Sequence, residues 1–395
     1  MKKIMVIGTT RTQVPLIKTA QRMGYYVIAA GTNGDYPGIK VADEACFVDI
    51  TSPQKVLEQA QKLKIDGIAT CCMDMGVRAV GYVCENMGLC GLTENSALLS
   101  NEKLSMKMAF EKHGVNSPKF VKIEKRDDLK TAWESLRHPV ILKAVDLQAS
   151  RGIFKCNSSQ ELEHAYDEVI HLTRENFCIV EEFIEGIDIG AQAMVYQGEI
   201  LFILPHNDEV YTGSANKPIG HSAPLLASEN VLHKTKRQCE LAIQALGLNN
   251  CAVNIDLIKT ENDEVYMIEL TGRAGATCLP ELVSLYYGID YYEMIVAMAM
   301  GEDPRLIFSK RSSVFTPNAS RFIMADKTGC VREVINRNSE ADDIALLELY
   351  VKAGDMVRKF EDGKDAIGEV IVTGKDIPSC ISRLDEISAN IDVIY

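Results

Sequence analysis

No apolar run in the chain approaches the ~20 residues that a membrane-spanning helix needs; Met294–Met300 stops far short. The N-terminal MKKIMVIG is likewise too short in its apolar part for a secretory signal and reads as a strand. Its 12 cysteines include the adjacent pair Cys71–Cys72 but no CxxC and no regular spacing. That argues against a disulfide framework and fits buried thiols in a reducing compartment. An excess of positive charge is also missing: 42 Lys+Arg against 55 Asp+Glu leave a net charge of −13. Such a balance disfavours general binding to nucleic acid or anionic membranes, although a local basic pocket would still take a small anion. There is no tandem repeat and no low-complexity tract. The expectation is a soluble, cytoplasmic protein with no nucleic-acid or membrane partner.

At 395 residues the chain has room for two to four domains. Residues 2–8, KKIMVIG, read as a buried strand ending in glycine. An amphipathic helix follows (Val14, Leu16, Ile17, Ala20, Met23), closed by Gly24, and then the strand YYVIAAG. This order predicts a right-handed parallel unit. Gly8 is followed by Thr9-Thr10-Arg11, so the GxGxxG fingerprint is missing and a dinucleotide is disfavoured. CFVDI, a helix over 53–63, IDGIAT, a helix around 76–87 and LCGL continue the alternation. Strand ends in such a sheet form a crevice, where Thr9, Thr32, Asn33, Cys72 and Asp74 would lie; singly, each also reads as an ordinary loop residue.

From Thr93 the pattern changes. SALLSNEKLSMKMAFEKHG predicts one helix with Lys103 among apolar neighbours. VILKAV is a strand with Lys143 inside it, followed by a polar loop, Asp146–Gly152, and the returning strand GIFKC. A lysine inside such a strand needs an anionic partner, unless it snorkels to the surface. The loop's Ser150-Arg151-Gly152 suits a phosphate cover made of backbone N–H groups and a guanidinium. After a helix over 159–171 come three strands in FCIVEEFIEGIDIGAQAMVYQGEILFIL. Glu181, Glu182, Phe183 and Ile184 sit at a strand end, where backbone can pair with an adenine edge, and Asp188 could take ribose hydroxyls. Residues 206–224 read as a long polar loop holding His206, Lys217 and His221.

The centre of the chain is VNIDLIKTENDEVYMIELTGRAGA, 253–276: two apolar runs joined by a polar turn. Asp256 lies in one run and Glu269 in the other. Two ionised carboxylates on adjacent strands repel unless a cation lies between them. Hard oxygen ligands suit Mg²⁺, and Arg273 follows on a glycine-containing turn where it could reach a phosphoryl group. A plain hairpin with water-facing acids is the competing reading. A helix over 230–246 precedes this hairpin, a helix over 279–300 follows it, and 311–395 reads as a small α+β unit.

In this order, Lys103, Lys143 with its loop, Glu181-Glu182-Phe183-Ile184, Asp188, Asp256, Glu269 and Arg273 resemble the ATP-grasp superfamily, over almost the whole chain. The C-terminal ASRFIMA, AGDMV and IGEVIVTG, with KPIGHSAP, resemble the L-amino-acid ligase group, which includes dipeptide-forming enzymes. The resemblance implies an α/β fold of four parts: an N-terminal Rossmann-like domain (1–95), a small ATP-grasp lobe (96–185), a central lobe with the metal site (186–308) and a C-terminal α+β domain (309–395). It assigns Lys103 and Lys143 to ATP phosphates, and Ser150, Arg151 and Gly152 to their cover. Glu181, Glu182, Phe183 and Ile184 go to adenine, and Asp188 to ribose. Asp256 and Glu269 would hold Mg²⁺, with Thr271 where the family usually has Asn, a weaker ligand for a second ion. Arg273, Lys143 and His221 would be catalytic, though His221 also reads as a loop histidine. A homodimer is implied as well.

The chemistry implied is an amide bond between a carboxylate and an amine, with ADP and phosphate released. An amine cannot displace hydroxide from a carboxylate at neutral pH, so ATP first converts that oxygen into phosphate, giving an acyl phosphate. The alternatives are an ATP-grasp carboxylase or nucleotide-biosynthesis ligase acting through carboxyphosphate or formyl phosphate, and a non-catalytic ATP-binding protein.

Overall fold

A computed structural model describes residues 1–147, 152–211 and 217–395. The N-terminal strands β1 (Lys3–Ile7), β2 (Tyr26–Gly31), β3 (Glu44–Phe47) and β4 (Gly67–Thr70) form a parallel sheet in the order β3-β2-β1-β4. Helices α1 (Val14–Arg22), α2 (Pro37–Val41), α3 (Pro53–Leu63) and α4 (Val77–Met87) connect or follow its strands, as the expected alternation requires. The LCGL segment, expected to extend that alternation, is irregular.

The single helix expected from Thr93 is two: α5 (Glu94–Leu99) and α6 (Lys103–His113). Polar Ser100-Asn101-Glu102 breaks it, and Asn101 Nδ2 donates to Asp74 O at 3.1 Å, fixing the break against the N-terminal part. Lys103 therefore opens a helix rather than lying inside one. Strands β5 (Phe120–Ile123), β6 (Val140–Ala144), β7 (Ile153–Cys156) and β8 (Cys178–Glu182) form an antiparallel sheet in the order β5-β8-β6-β7. It is backed by α7 (Asp128–Ser135) and α8 (Ser159–Leu172). Along β6, Val140, Leu142 and Ala144 are buried, and the period of two sends Lys143 to the opposite face.

The central sheet begins with β9 (Ile187–Tyr196), β10 (Glu199–Tyr211) and β11 (Lys217–Ala223). The long loop expected over 206–224 is thus mostly strand: His206 lies in β10 and His221 in β11, and their polar side chains hid the alternation. After α9 (Glu229–Ala245) come β12 (Cys251–Lys259) and β13 (Val265–Thr271), the expected hairpin. The helix expected over 279–300 is α10 (Leu279–Tyr287) and α11 (Tyr291–Ala299). Gly288, at φ +65°, ends the first, and Asp290 caps the second through Glu293 N. After the short α12 (Arg305–Phe308), the C-terminal segment supplies β14 (Asn318–Met324), β15 (Gly329–Cys330), β16 (Glu333–Asn336), β17 (Ile344–Leu349), β18 (Met356–Val357), β19 (Ala366–Thr373), α13 (Ile377–Ala389) and β20 (Ile391–Ile394). Its β14, β19 and β17 extend the central sheet to eight strands, in the order β13-β12-β9-β10-β11-β14-β19-β17.

Strand alternation decides what each face of the central sheet meets. Ile189, Ala191, Ala193, Val253, Ile255 and Leu257 pack on α9 and α6. On the other face, Met194 and Phe202 pack with Tyr291, Met294 and Met298 of α11, which also reach Ile4, Val6 and Ile17. One apolar core thus joins the N-terminal sheet to the central sheet. No helix among the described residues is long and apolar enough to cross a membrane.

Leu142 is fully buried in the core behind Lys143. Leu142→Ala should cost about 2–5 kcal/mol, lowering the denaturant midpoint with an unchanged slope and loosening the strand that carries Lys143.

Candidate active site

Residues on one face of the central sheet form a row across five strands. Asp256 on β12 pairs directly with Glu269 on β13, beside a bulge at Asp256/Leu257. Asp256 also pairs with Gly190 on β9, Gly190 with His206 on β10, and Asp208 of β10 with His221 on β11. Directly paired residues share a face, and so do His206 and Asp208, two apart on one strand. Gly190 is what lets the row close up: a Cβ there would lie 2.2 Å from His206 Cε1. The imidazole therefore lies across β9 towards Asp256.

The lysines enter from above the row. Lys103 Nζ lies 3.8 Å from Glu269 Oε2 and donates to Leu147 O at 3.3 Å. Glu181, 2% exposed, receives Lys143 at 2.9 Å and Lys107 at 3.2 Å. Burial lowers Lys107 to about 8, with Glu181 opposing that shift. Burial would raise Glu181, but the two ammonium groups outweigh it and hold the carboxyl below its ordinary range. Asp256 is pushed up to about 7, first by burial on the cleft floor, then by Glu269 and Asp208. Its carboxylate still reaches water at the cleft mouth, which tempers the shift.

Lys143, Lys103, Asp256 and Glu269 are thus brought together around one cleft. Arg273 joins them from the side: its Nε and Nη2 lie 2.7 and 2.5 Å from one oxygen of Asp74, which follows β4. Cys72 N donates to Ala274 O nearby, at 3.0 Å. Asp74 and Cys72 therefore do reach the crevice, whereas Thr32 and Asn33 are exposed. Glu182 turns towards Arg137, 3.8 Å away. Phe183 N donates to Pro139 O at 3.0 Å, Lys155 Nζ lies 3.7 Å from its ring centre, and Ile184 is buried. Asp188 shares the row's face and is raised by burial and by Asp208. Gly152, at φ +66°, returns the chain into β7; Ser150 and Arg151 lie outside the described residues. Thr271 is buried opposite Asn254. Asn254 Nδ2 donates to Asp256 Oδ1 at 3.0 Å, and its Oδ1 accepts from Gln192 Nε2 at 2.7 Å. It steadies the carboxylate without offering that oxygen to a metal.

The sequence reading missed Lys107, Asp208 and Asn254. Lys107 was within reach, because it lies four residues after Lys103 and so on the same helix face. Asp208 and Asn254 depend on which strands pair.

The family model described as "ATP-grasp domain" matches residues 136–281, and "L-amino acid ligase C-terminal domain 2" matches 321–395. A crystal structure titled phosphoribosylglycinamide synthetase from Anaerococcus prevotii is 40% identical, covers 100% of this chain and 99% of its own, and superposes with a TM-score of 0.88. This chain belongs to the ATP-grasp family. An L-amino acid ligase from Bacillus licheniformis shares the fold at 16% identity, with 100% and 99% coverage and a TM-score of 0.86. Alanine–anticapsin ligase of Bacillus subtilis is 24% identical over 277 residues, 64% of this chain but only 58% of the relative's own length. ATP and Mg²⁺ are the usual cofactors of ATP-grasp ligases. The donor set fits them: two facing carboxylates, one pushed towards neutrality by burial and then by the other, suit a hard divalent cation, and the lysines suit phosphates.

Because Asp256 titrates near 7 when folded and near 3.8 when unfolded, the metal-free folded state binds more protons across that window. Stability contributed there is present at low pH and lost as pH rises towards 7; Glu281, also raised to about 7, acts in the same direction. The metal-free protein should melt at a lower temperature at pH 8 than at pH 5.5. Asp256→Asn should flatten that dependence, and Mg²⁺ should restore stability more at pH 8. Scanning calorimetry with and without Mg²⁺ checks this.

Proposed function

We propose that this ATP-grasp enzyme is a carboxylate–amine ligase, which forms an amide bond through an acyl phosphate and releases ADP and phosphate. The observation that carries the reading is the cleft itself: Lys103, Lys107 and Lys143 stand opposite Asp256 and Glu269. In this assignment Lys103 and Lys143 hold ATP phosphates under a cover of Ser150, Arg151 and Gly152. The strand end Glu181–Ile184 meets adenine, and Asp188 the ribose. Asp256 and Glu269 hold Mg²⁺, with Thr271 at a second position, and the ion supplies charge neutralisation at the triphosphate.

Lys143 and Arg273 stabilise the charge that develops on the phosphoryl group passed to the carboxylate. Asp74 keeps the Arg273 guanidinium in place, so little reorganisation is needed when that charge appears. Exclusion of water matters because an acyl phosphate hydrolyses readily.

The amine is favoured as acceptor by charge at the junction beyond Arg273. Cys278 Sγ lies 3.3 Å from Glu369 Oε2, and Tyr292 OH donates to Glu281 at 2.7 Å. Among the described residues neither Glu281 nor Glu369 lies within 4.0 Å of a cationic side chain. The match of residues 321–395 to an L-amino acid ligase domain points the same way. A second reading, a nucleotide-precursor ligase, draws on the 40% identity to the protein titled phosphoribosylglycinamide synthetase. A phosphorylated acceptor, however, would meet the Glu369 carboxylate unfavourably.

A phosphate-release screen over pairs of amino acids and other carboxylates, with mass detection of the product, decides between them. Response to an amino-acid pair supports the amide ligase; response only to bicarbonate, formate or a phosphoribosyl amine selects the second reading. Lys143→Ala and Glu269→Ala should each lower carboxylate-dependent ADP release by roughly 10²-fold or more. Turnover like that of the wild type in either variant would refute the assigned roles.

A further inference from the structure

No step above uses Lys107, although it is the most deeply buried of the three lysines. It lies on α6 about one turn after Lys103. Its side chain is 3% exposed, against 12% for Lys143 and 14% for Lys103. Lys103 and Lys143 therefore open towards the cleft, and Lys107 does not. Its Nζ stands 3.2 Å from Glu181 Oε2, the same oxygen that accepts from Lys143 Nζ at 2.9 Å. Among the described residues the buried Lys107 Nζ has no hydrogen-bond partner, so its contact with Glu181 is one of charge alone. An ammonium has three donors, and a buried one that leaves them unused is rare. The arrangement costs desolvation, which is the first cause of the fall of Lys107 to about 8.

Strand register explains how the three groups meet. Glu181 of β8 pairs with Ile141 of β6, and Lys143 follows two residues later on the same face. The opposite face of β6 carries Val140 and Leu142 into the core. Lys107 reaches the charged face from α6. One buried carboxylate thus answers to two ammonium groups, and one positive charge is left in surplus.

We propose that Lys107 is a positioning residue for Lys143: by taking up part of the Glu181 charge, it keeps the Lys143 ammonium from being fully neutralised and free to turn to a nucleotide phosphate. This rests on the assignment of Lys143 to ATP phosphates above, and not on the identity of the acceptor. Without Lys107, the Glu181 carboxylate would pair with Lys143 alone. The two charges would then cancel where low polarity strengthens their attraction. A phosphate would have to draw Lys143 away from a partner already at hydrogen-bond distance. With Lys107 present, Glu181 keeps an ammonium beside it when Lys143 turns away.

Two other accounts of Lys107 compete with this one. Glu269 favours the charged form of Lys107, so the charge of Lys107 is felt as far as the sheet floor and could act on phosphates directly. Alternatively Lys107 only braces α6 against β8.

The test measures binding of the non-hydrolysable ATP analogue AMP-PNP, with Mg²⁺, by titration calorimetry. It compares wild type, Lys107→Met, Lys143→Met and the double variant. Methionine removes the charge while staying long and flexible enough to fill the site. Lys107→Met should weaken AMP-PNP binding by about tenfold or more. In the Lys143→Met background the same change should alter affinity by less than about twofold, because the lysine it acts through is gone. Lys107→Gln, which offers Glu181 a donor but no charge, should match Lys107→Met and replaces it in the cycle if that variant does not fold. Equal losses in both backgrounds would assign the effect to a field acting on the phosphates directly and overturn the proposal. Unchanged AMP-PNP affinity in Lys107→Met, with a lower melting temperature, would leave Lys107 a brace and overturn it as well. A loss in Lys107→Met that Lys107→Gln lacks would do the same, since charge would not be the agent. Binding like that of the wild type in Lys143→Met would instead refute the assignment of Lys143 to phosphate, and the positioning role with it.

Discussion

Glu181 is shared by two lysines and is, among the described residues, the one carboxylate within 4.0 Å of either. Lys107 and Lys143 bring two positive charges to one buried carboxylate, and Lys103 stands by, 3.8 Å from Glu269 and donating to Leu147 O. Burying an ion pair costs more desolvation than its attraction returns unless the geometry is good. A surplus cation makes that cost larger, and the fall of Lys107 to about 8 shows the strain. An anion placed between these lysines and the sheet relieves it. The cleft is therefore charged for a polyphosphate before one arrives, and the fold supplies the energy that keeps it so.

The sheet floor carries the opposite imbalance. Asp256 and Glu269 face each other without a cation of their own beyond Lys103, and Asp208 adds a third carboxylate a short way along the row. What separates these acids chemically is their partners. Asp208 is hydrogen-bonded by two imidazoles and stays ionised, whereas Asp256 has an amide donor and a like-charged neighbour and drifts towards neutrality. Carboxylates on one face of one sheet thus acquire different protonation behaviour. Gly190 is the steric condition for the arrangement, since any side chain there would drive His206 off the row.

Arg273 ties these features to the N-terminal sheet. Its ion pair with Asp74 and the contact of Cys72 with Ala274 lay the first crevice against the turn after β13. Beneath them, Ile4, Val6 and Ile17 share a core with Met194, Phe202 and Met294. Glu281 of α10 and Glu369 of β19 lie where the central sheet meets its C-terminal extension.

The local pattern was legible from residue types alone. The strand–helix alternation at the start, the helices over 53–63 and 230–246, and the hairpin with Asp256 and Glu269 follow from periods of two and 3.6 and from turn residues, which act over a few positions. The order of Lys103, Lys143, Asp256, Glu269 and Arg273 was likewise readable, because order survives without coordinates. Three things were decided only by tertiary structure. Polar His206, Asp208 and His221 lie in strands because pairing with β9 and β14 satisfies their backbones, something no local pattern reports. Asp208, Asn254 and Gly190 matter through the register of neighbouring strands, and register is a long-range choice set by which faces can be buried together. The breaks before Lys103 and at Gly288 depend on what the chain meets after folding. A sequence fixes which groups a chain possesses; their partners come from pairings tens to hundreds of residues apart, where buried charge has its energetic weight.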